Sequence, residues 1–135
     1  MALQDFTVSA WVVPHKSFGY LIEIDADLVR DGLGGALQSF ENAKLDVRNP
    51  ELDTNLPHRW FKVSEEQLDS LVELADEVNY SFREQTFVGG LGYATYGIRV
   101  SRGIQVATVT WWGRFEDQHE SVRNLHSAVQ RLAEA

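Results

Sequence analysis

Two apolar stretches near the start of the chain have the composition of adjacent β-strands. Residues 6–13 are rich in β-branched and aromatic side chains and are followed by Pro14, and the apolar pattern resumes over residues 20–24. Such side chains favour strands, whereas proline ends a strand because it has no N–H for the ladder. The pattern therefore predicts a β-hairpin at residues 6–24.

A helix is predicted directly after this hairpin. Apolar side chains from Leu28 to Phe40 follow helical spacing, and Asp25 and Asp27 can cap the first turn. The apolar positions are Leu28, Val29, Leu33, Ala36, Leu37 and Phe40. Glycines inside this span oppose a helix, since each costs about 1 kcal/mol relative to alanine. Residues 44–58, with two prolines and no apolar period, predict a long loop.

The clearest pattern in the chain predicts a helix at residues 65–78. Ser64 and Gln67 have the spacing of a capping box, in which two side chains satisfy backbone N–H groups of the first turn. Apolar residues then recur with a helical period, at Leu68, Leu71, Val72, Ala75 and Val78. From Tyr80 the period changes to two, which predicts a strand that leads into the glycine-rich residues 89–92.

A second hairpin is predicted near the carboxyl end. Residues 94–101 and 104–112 alternate in polarity and are joined at Ser101, Arg102 and Gly103. Trp111 and Trp112 are adjacent on the second strand, so their side chains must point to opposite faces of the sheet. We expect one face to meet the helices and the other to be partly covered or to form a binding surface.

A final helix is predicted at residues 118–133, where Val122, Leu125, Val129 and Leu132 recur at helical spacing. The predicted order is ββααβββα within one domain, residues 1–135. Strands that form short hairpins between helices are typical of the α+β class. The sequence therefore predicts an antiparallel sheet of about five strands with two or three helices packed on one face.

The composition excludes several classes of partner. The chain has 20 acidic and 12 basic side chains, a formal net charge of −8, and no cysteine. An acidic protein lacks the excess of lysine and arginine that binding to nucleic acid or an anionic membrane requires. Residues 1–25 lack the basic region, apolar stretch and cleavage pattern typical of a secretion signal, and the sequence has no apolar window of membrane-spanning length. We expect a cytoplasmic protein that has no disulfide bonds and no cofactor.

Catalytic motifs are missing, so the sequence predicts a protein that is not an enzyme. The glycine-rich residues 89–92 lack the lysine of a phosphate-binding loop, and no serine lies in a G-x-S-x-G elbow. The four histidines have no metal-binding spacing, and we interpret them as surface or capping residues. Glu23, between two isoleucines on a predicted strand, most simply faces solvent.

The acidic residues are unevenly distributed. Residues 1–92 carry 16 acidic and 7 basic side chains, whereas residues 93–135 carry 4 and 5. The predicted helix 65–78 has six carboxylates and no lysine or arginine. Like charges four residues apart destabilise a helix by a few tenths of a kcal/mol per pair. Either this face only keeps the protein soluble, or it is an electronegative docking surface for a basic partner.

Part of the chain resembles a known protein family. The pattern Tyr96-x-Ile98-x-Val100-x-x-Gly103, followed by a strand and a helix with Val122-Arg123-x-Leu125, is similar to the C-terminal half of emfourin-type proteins. The helix that begins at Ser64-Glu65-Glu66 and leads to Tyr80-Ser81-Phe82 is similar in kind, so the resemblance covers residues 64–132. The family's glycine-rich N-terminal segment has no counterpart in residues 1–43. Emfourins are small bacterial inhibitors of thermolysin-like metalloproteases, so the resemblance implies a protein that acts by binding another protein.

The leading hypothesis is an acidic protein-binding module that acts as an inhibitor or an immunity-type antagonist. Its predicted contact residues are four carboxylates for electrostatic attraction and three aromatic residues for apolar contact. They are Asp69, Glu73, Asp76 and Glu77, and Tyr93, Trp111 and Trp112. The alternative is a small-molecule binding domain, in which the aromatic sheet face and residues 44–63 enclose an apolar pocket. Self-association through the last helix or a hairpin edge is a third possibility.

Overall fold

The fold comes from a computed structural model. It describes residues 6–14, 18–41, 51–52, 57–81, 86–87, 94–113 and 115–134. The strands are β1 (Phe6–Val13), β2 (Phe18–Asp25), β3 (Gly34–Glu41), β4 (Arg59–Lys62), β5 (Thr86–Phe87), β6 (Ala94–Arg102) and β7 (Gln105–Gly113). The helices are α1 (Ala26–Arg30), α2 (Glu65–Ser81) and α3 (Glu120–Glu134), and a single 3₁₀ turn (Phe115–Asp117) precedes α3.

The strands form one sheet in the order β4-β3-β2-β1-β6-β7-β5. Neighbouring strands are antiparallel throughout, except that the short β5 runs parallel to β7. The central strand β1 pairs with β2 on one side and β6 on the other, which places the β1–β2 hairpin beside the β6–β7 hairpin. The predicted α+β class with an antiparallel sheet is confirmed.

The main core lies between one face of the sheet and the helices. Alternate residues of β1 point into it, and Phe6, Val8 and Ala10 are all buried there. The helices bury one stripe each against these strands, and their buried apolar residues belong to the same cluster. Those residues are Ala26 and Val29 of α1, Leu68, Leu71, Val72, Ala75 and Val78 of α2, and Val122, Leu125, Val129 and Ala133 of α3.

The opposite face of the sheet carries a second, smaller apolar cluster. Trp11, Val13 and Leu21 are buried there, and Leu52 packs against them. The indole of Trp11 lies directly over Gly97 of β6, where an added Cβ would come within 1.9 Å of Trp11 Cε2. Only glycine leaves room for the ring at this position. The expectation that the second face is partly covered is therefore confirmed.

The helix predicted from Leu28 to Phe40 is wrong for most of its length. Asp25 does cap a helix, since its carboxylate accepts a hydrogen bond from the Asp27 backbone N–H. However, α1 has only five residues, and Gly32 follows with a φ of +87°, a left-handed conformation that leaves the helical path. The chain then continues as β3, which pairs with β2 and β4. Residues 34–41 therefore form a strand and not a helix, because the glycines disfavour a helix and pairing with β2 and β4 stabilises a strand.

Other predicted elements agree with the structure in type and differ at their ends. The second hairpin and the last helix are confirmed, and α2 continues three residues beyond its predicted end, to Ser81. Tyr80 is consequently helical, so the predicted start of the next strand is wrong, although Thr86–Phe87 of the same segment do form strand β5. Strand β4 begins directly after the predicted loop 44–58, where no element was predicted. The glycine-rich residues 89–92 lie outside the described residues. Within the part of the chain that the structure describes, no helix is both long and apolar enough to cross a membrane.

Candidate functional site

Helix α2 begins with the predicted capping box. The Gln67 backbone N–H donates to Ser64 Oγ at 3.1 Å, and the Ser64 backbone N–H donates to Gln67 Oε1 at 2.9 Å. This start fixes the helix phase, so that the apolar stripe faces the sheet and the acidic residues face outward. Because the apolar residues of α2 pack on the core, its carboxylates lie on the opposite, exposed side of the helix.

The outward surface of α2 is strongly acidic. We define the acidic face as its five exposed carboxylates, Glu65, Glu66, Asp69, Glu73 and Glu77. Among the described residues, no cation lies within ion-pair distance of Glu65, Glu66, Asp69 or Glu73. Because α2 extends to Ser81, Glu77 lies before its last turn, where a negative charge conflicts less with the helix dipole. The negative charge of Glu65, Glu66, Asp69 and Glu73 is therefore not compensated by an ion pair within the part of the chain that the structure describes.

Asp76 has a different role from its neighbours on α2. It is partly buried and forms an ion pair with the guanidinium of Arg102, at the end of β6. Both side chains are partly exposed, so we assign this pair a contribution of no more than about 1 kcal/mol to stability. The contact matters more for position, because it places α2 beside the turn that joins β6 to β7.

This turn presents apolar side chains to solvent. We define the hairpin tip as residues 102–106, where Gly103 has a φ of +62° that suits a tight turn. Ile104 is fully exposed (101%) and Val106 is 61% exposed. Arg102 pairs with Gln105 across the base of the turn, so the backbone on both sides of Ile104 is held in the ladder. An isoleucine held this far out of the core is unusual for a residue type that is most often buried.

The predicted aromatic contact residues are not at this surface. Trp111 is wholly buried (0% exposed) on the helix side of the sheet, so its predicted contact with a partner is wrong. The sheet positions this indole beneath α3, and Tyr96 stacks on it with ring centroids 5.4 Å apart. The side chain of Trp112 and the whole of Tyr93 lie outside the described part of the structure. Ile104 and Val106 replace Trp111 as apolar contact candidates.

A histidine missed by sequence reasoning completes the cluster around Trp111. His126 of α3 is buried and packs edge-on against Trp111, Tyr96 and Phe115, with ring centroids 5.4–6.1 Å apart. Its Nε2 lies 3.2 Å from the carbonyl oxygen of Trp11, which only accepts, so Nε2 carries the proton and donates. Burial lowers the pKa of His126 to about 4, and the hydrogen bond to Trp11 opposes this shift. The surface interpretation is wrong for His126.

His119 fits the capping interpretation. Its Nδ1 accepts a hydrogen bond from the Ser121 backbone N–H at 3.1 Å, at the start of α3. His126, in contrast, lies on the same helical stripe as Val122 and Val129, which is the signal by which its burial could have been predicted.

The second sheet face contains a row of polar residues on adjacent strands. Ser9 lies directly across from Glu23 on one side and from Arg99 on the other. Glu23 is partly buried rather than solvent-facing, and burial raises the pKa of its carboxyl while Arg99 opposes the rise. The guanidinium carbon of Arg99 lies 5.8 Å from the Trp11 ring centroid, a cation–π distance. The row of Glu23, Ser9 and Arg99 therefore lies beside the Trp11 cluster, and Arg99 contacts it.

A cavity of about 420 Å³ opens where this face meets the hairpin tip. Its polar lining includes Thr7, Ser101, Asp25 and Asp27, and its apolar lining includes Ile104. Asp25 is already engaged, because one oxygen accepts from the Asp27 N–H at 2.7 Å and the other from the Thr7 hydroxyl at 3.3 Å. The predicted aromatic-lined apolar pocket does not match this polar cavity.

Two further observations bear on function. Across the described residues, no group of three or more His, Asp or Glu side chains is arranged to hold a metal ion. No known protein-family model matches the chain, and no curated protein matches its sequence.

Proposed function

We propose that this chain is a non-enzymatic module that binds a basic surface of another protein through the acidic face of α2 and the hairpin tip. The observation that carries the proposal is the adjacency of these two features. The Asp76–Arg102 ion pair joins them, because it holds α2 against the end of β6, two residues before the fully exposed Ile104. One partner can therefore contact both.

The acidic face would act mainly on the rate of association. A surface of one charge sign raises the rate of encounter with an oppositely charged partner by about 10- to 1000-fold at low salt. Salt screens such attraction beyond about 8 Å at physiological ionic strength. Charge on α2 would thus determine how fast the partner arrives and how strongly that rate depends on salt.

The hairpin tip would act mainly on the lifetime of the complex. Complete burial of an isoleucine side chain contributes about 1.5–3 kcal/mol. Because the ladder holds Arg102 and Gln105 on either side of Ile104, little backbone freedom is lost when this residue docks. An exposed apolar residue that is already fixed in place is well suited to serve as an anchor.

The proposed biological role is that of an inhibitor or immunity-type antagonist. The resemblance of residues 64–132 to emfourin-type inhibitors supports this role and makes a thermolysin-like metalloprotease the first partner to assay. Substrate hydrolysis by such a protease would be titrated with the purified protein. We expect stoichiometric loss of activity, whereas full activity at a large excess of the protein would exclude this class of partner.

Charge reversal tests the proposal with any partner that binds. We expect the double variant Asp69→Lys/Glu73→Lys to associate at least tenfold more slowly at low salt and with a flatter salt dependence. The matched control Glu51→Lys/Glu116→Lys makes the same change in net charge at exposed positions off α2. Equal association rates for wild type and the α2 variant would refute the role of the acidic face.

A second candidate function is the binding of a small polar ligand in the cavity beside the hairpin tip. The observation that favours it is the size of this cavity, which lies within the range of about 300–1,000 Å³ typical of ligand sites. Its carboxylate and hydroxyl oxygens suit a cationic or polyhydroxyl molecule, which would share Asp25 and Asp27 with their partners Thr7 and Arg30. A thermal-shift screen with amines and sugars tests it, and a ligand whose stabilisation is lost in Asp25→Asn would support it.

A further inference from the structure

A shallow groove runs between the outer faces of α2 and α3. It has a volume of about 180 Å³, and Leu71, Leu74, Ala128 and Leu132 contribute apolar lining. Leu71 is buried at its base, whereas the other three are half-buried and are accessible from outside. A space of about 150 Å³ is enough to hold a benzene molecule, so this groove has room for the ends of one or two large apolar side chains.

The two walls of the groove differ in charge. Glu66, Glu73 and Glu77 are spaced by seven and four residues, so they lie on one stripe of α2. This stripe adjoins the groove, because Glu66 and Glu73 lie four and three residues from the lining residue Ser70, on neighbouring turns of the helix. The opposite wall, on α3, carries Arg131. An occupant with cations on one flank would therefore be oriented as well as attracted.

The groove favours a helical occupant over an extended one. An extended peptide usually binds by hydrogen-bonding its backbone to an open strand edge. Helices α2 and α3 offer no such edge, because their backbone groups are bonded within each helix. The lining residues recur every three or four positions, at 71 and 74 and at 128, 131 and 132, which is the spacing that receives the side-chain ridges of another helix.

We propose that the α2–α3 groove binds an amphipathic helix of the partner protein, with its apolar face in the groove and its lysines or arginines against the acidic stripe of α2. This inference rests on the proposed function, since it specifies which part of a basic partner the module recognises. Charge complementarity with the Glu66–Glu73–Glu77 stripe selects a basic helix over an acidic or neutral one.

The test uses the full chain and a set of fluorescently labelled peptides. The probe is a 16-residue amphipathic helix with leucines spaced i, i+3, i+4 and i+7 and lysines along one flank, chosen on the pattern typical of helices that bind in grooves. A second peptide has glutamate in place of lysine, and a third has the composition of the probe in scrambled order. Fluorescence anisotropy measures binding, and circular dichroism of the mixture reports whether the bound peptide is helical.

We expect saturable binding of the lysine peptide with a gain of helix, and at least tenfold weaker binding of the other two. Ala128→Trp fills the groove and should weaken binding at least tenfold. Lys62→Trp, which adds an indole at an exposed position on β4, should leave it unchanged. Glu66→Lys/Glu73→Lys should also weaken binding at least tenfold, and unfolding curves of each variant confirm that it folds.

Three results would overturn the inference: no saturable binding of the lysine peptide, equal binding of the scrambled peptide, or full binding to Ala128→Trp. These results would not refute the proposed function, because that function requires only that the partner contacts the acidic face and Ile104, in whatever secondary structure. A partner whose binding responds to Asp69→Lys/Glu73→Lys and Ile104→Ser but not to Ala128→Trp would leave the proposed function standing and refute the groove.

Discussion

The buried imidazole of His126 predicts that the protein loses stability in mild acid. Its folded pKa is about 4, against about 6.5 for an exposed histidine, because its site excludes water. Between these two values the unfolded chain binds a proton at this residue and the folded chain does not. Stability from this residue is therefore complete above pH 6.5, falls as the pH drops below 6.5, and reaches its minimum below about 4.

The magnitude follows from the separation of the two pKa values. Each unit of separation corresponds to about 1.4 kcal/mol, so acidification from pH 7.5 to 4.5 should remove about 2–3 kcal/mol through this one group. Carboxylates also change stability over this range, so the contribution of His126 must be isolated. His126→Gln remains neutral at every pH and retains an amide N–H that can donate to the Trp11 carbonyl.

Urea unfolding at pH 7.5 and at pH 4.5 measures the effect. We expect the stability lost on acidification to be about 2–3 kcal/mol smaller in His126→Gln than in wild type. The matched control Asn124→Gln, at an exposed position of α3 without a titratable group, should lose as much stability on acidification as wild type. Identical pH dependence in wild type and His126→Gln would refute the assignment of a buried, neutral imidazole.

Four other substitutions test the packing and capping. Gly97→Ala should destabilise the protein by about 3 kcal/mol, measured by urea unfolding, because the added Cβ overlaps the ring of Trp11; an unchanged midpoint would contradict the close contact. Ser64→Ala should cost about 1 kcal/mol by removing the cap of α2, with the loss visible in the thermal midpoint. Trp111→Ala should lower the free energy of unfolding by about 4 kcal/mol because the indole is buried, whereas Ile104→Ala should change it by less than about 0.5 kcal/mol. Equal effects of the two substitutions would contradict the burial of Trp111 and the exposure of Ile104.

The acidic helix was predictable because its signals are local. The capping box, the apolar stripe and the carboxylates all lie within one stretch of sequence, so the exposed positions of Asp69 and Glu73 follow directly from the helical period. The last helix and the second hairpin were predictable for the same reason. The last turn of α2 was missed because Tyr80 also fits a period of two.

The span from Leu28 to Phe40 shows where local reasoning fails. Its apolar residues fit a helical stripe and equally fit alternation along a strand, and the outcome depends on pairing with β2 and β4. No local signal reports those partners. The local signal against a helix is the group Gly32, Gly34 and Gly35. Each glycine destabilises a helix by about 1 kcal/mol relative to alanine, which outweighs the apolar spacing.

The candidate site could be predicted only in part. Alternation requires Trp111 and Trp112 to face opposite ways, but it does not say which face α3 covers, so the burial of Trp111 depends on tertiary structure. Ile104 lies in the turn, where strand alternation gives no information about exposure. The groove between α2 and α3 depends on how the two helices pack, which no single stretch of sequence encodes.

The most direct test of the central claim is a comparison of three baits in affinity capture from the lysate of the source organism. The baits are wild type, Asp69→Lys/Glu73→Lys and the control Glu51→Lys/Glu116→Lys, each washed at low and at high salt, with retained proteins quantified by mass spectrometry. We predict a basic protein that wild type and the control retain at low salt and release at high salt, and that the α2 variant does not retain. Retention of the same proteins by all three baits would contradict the claim that the acidic face of α2 binds a basic partner.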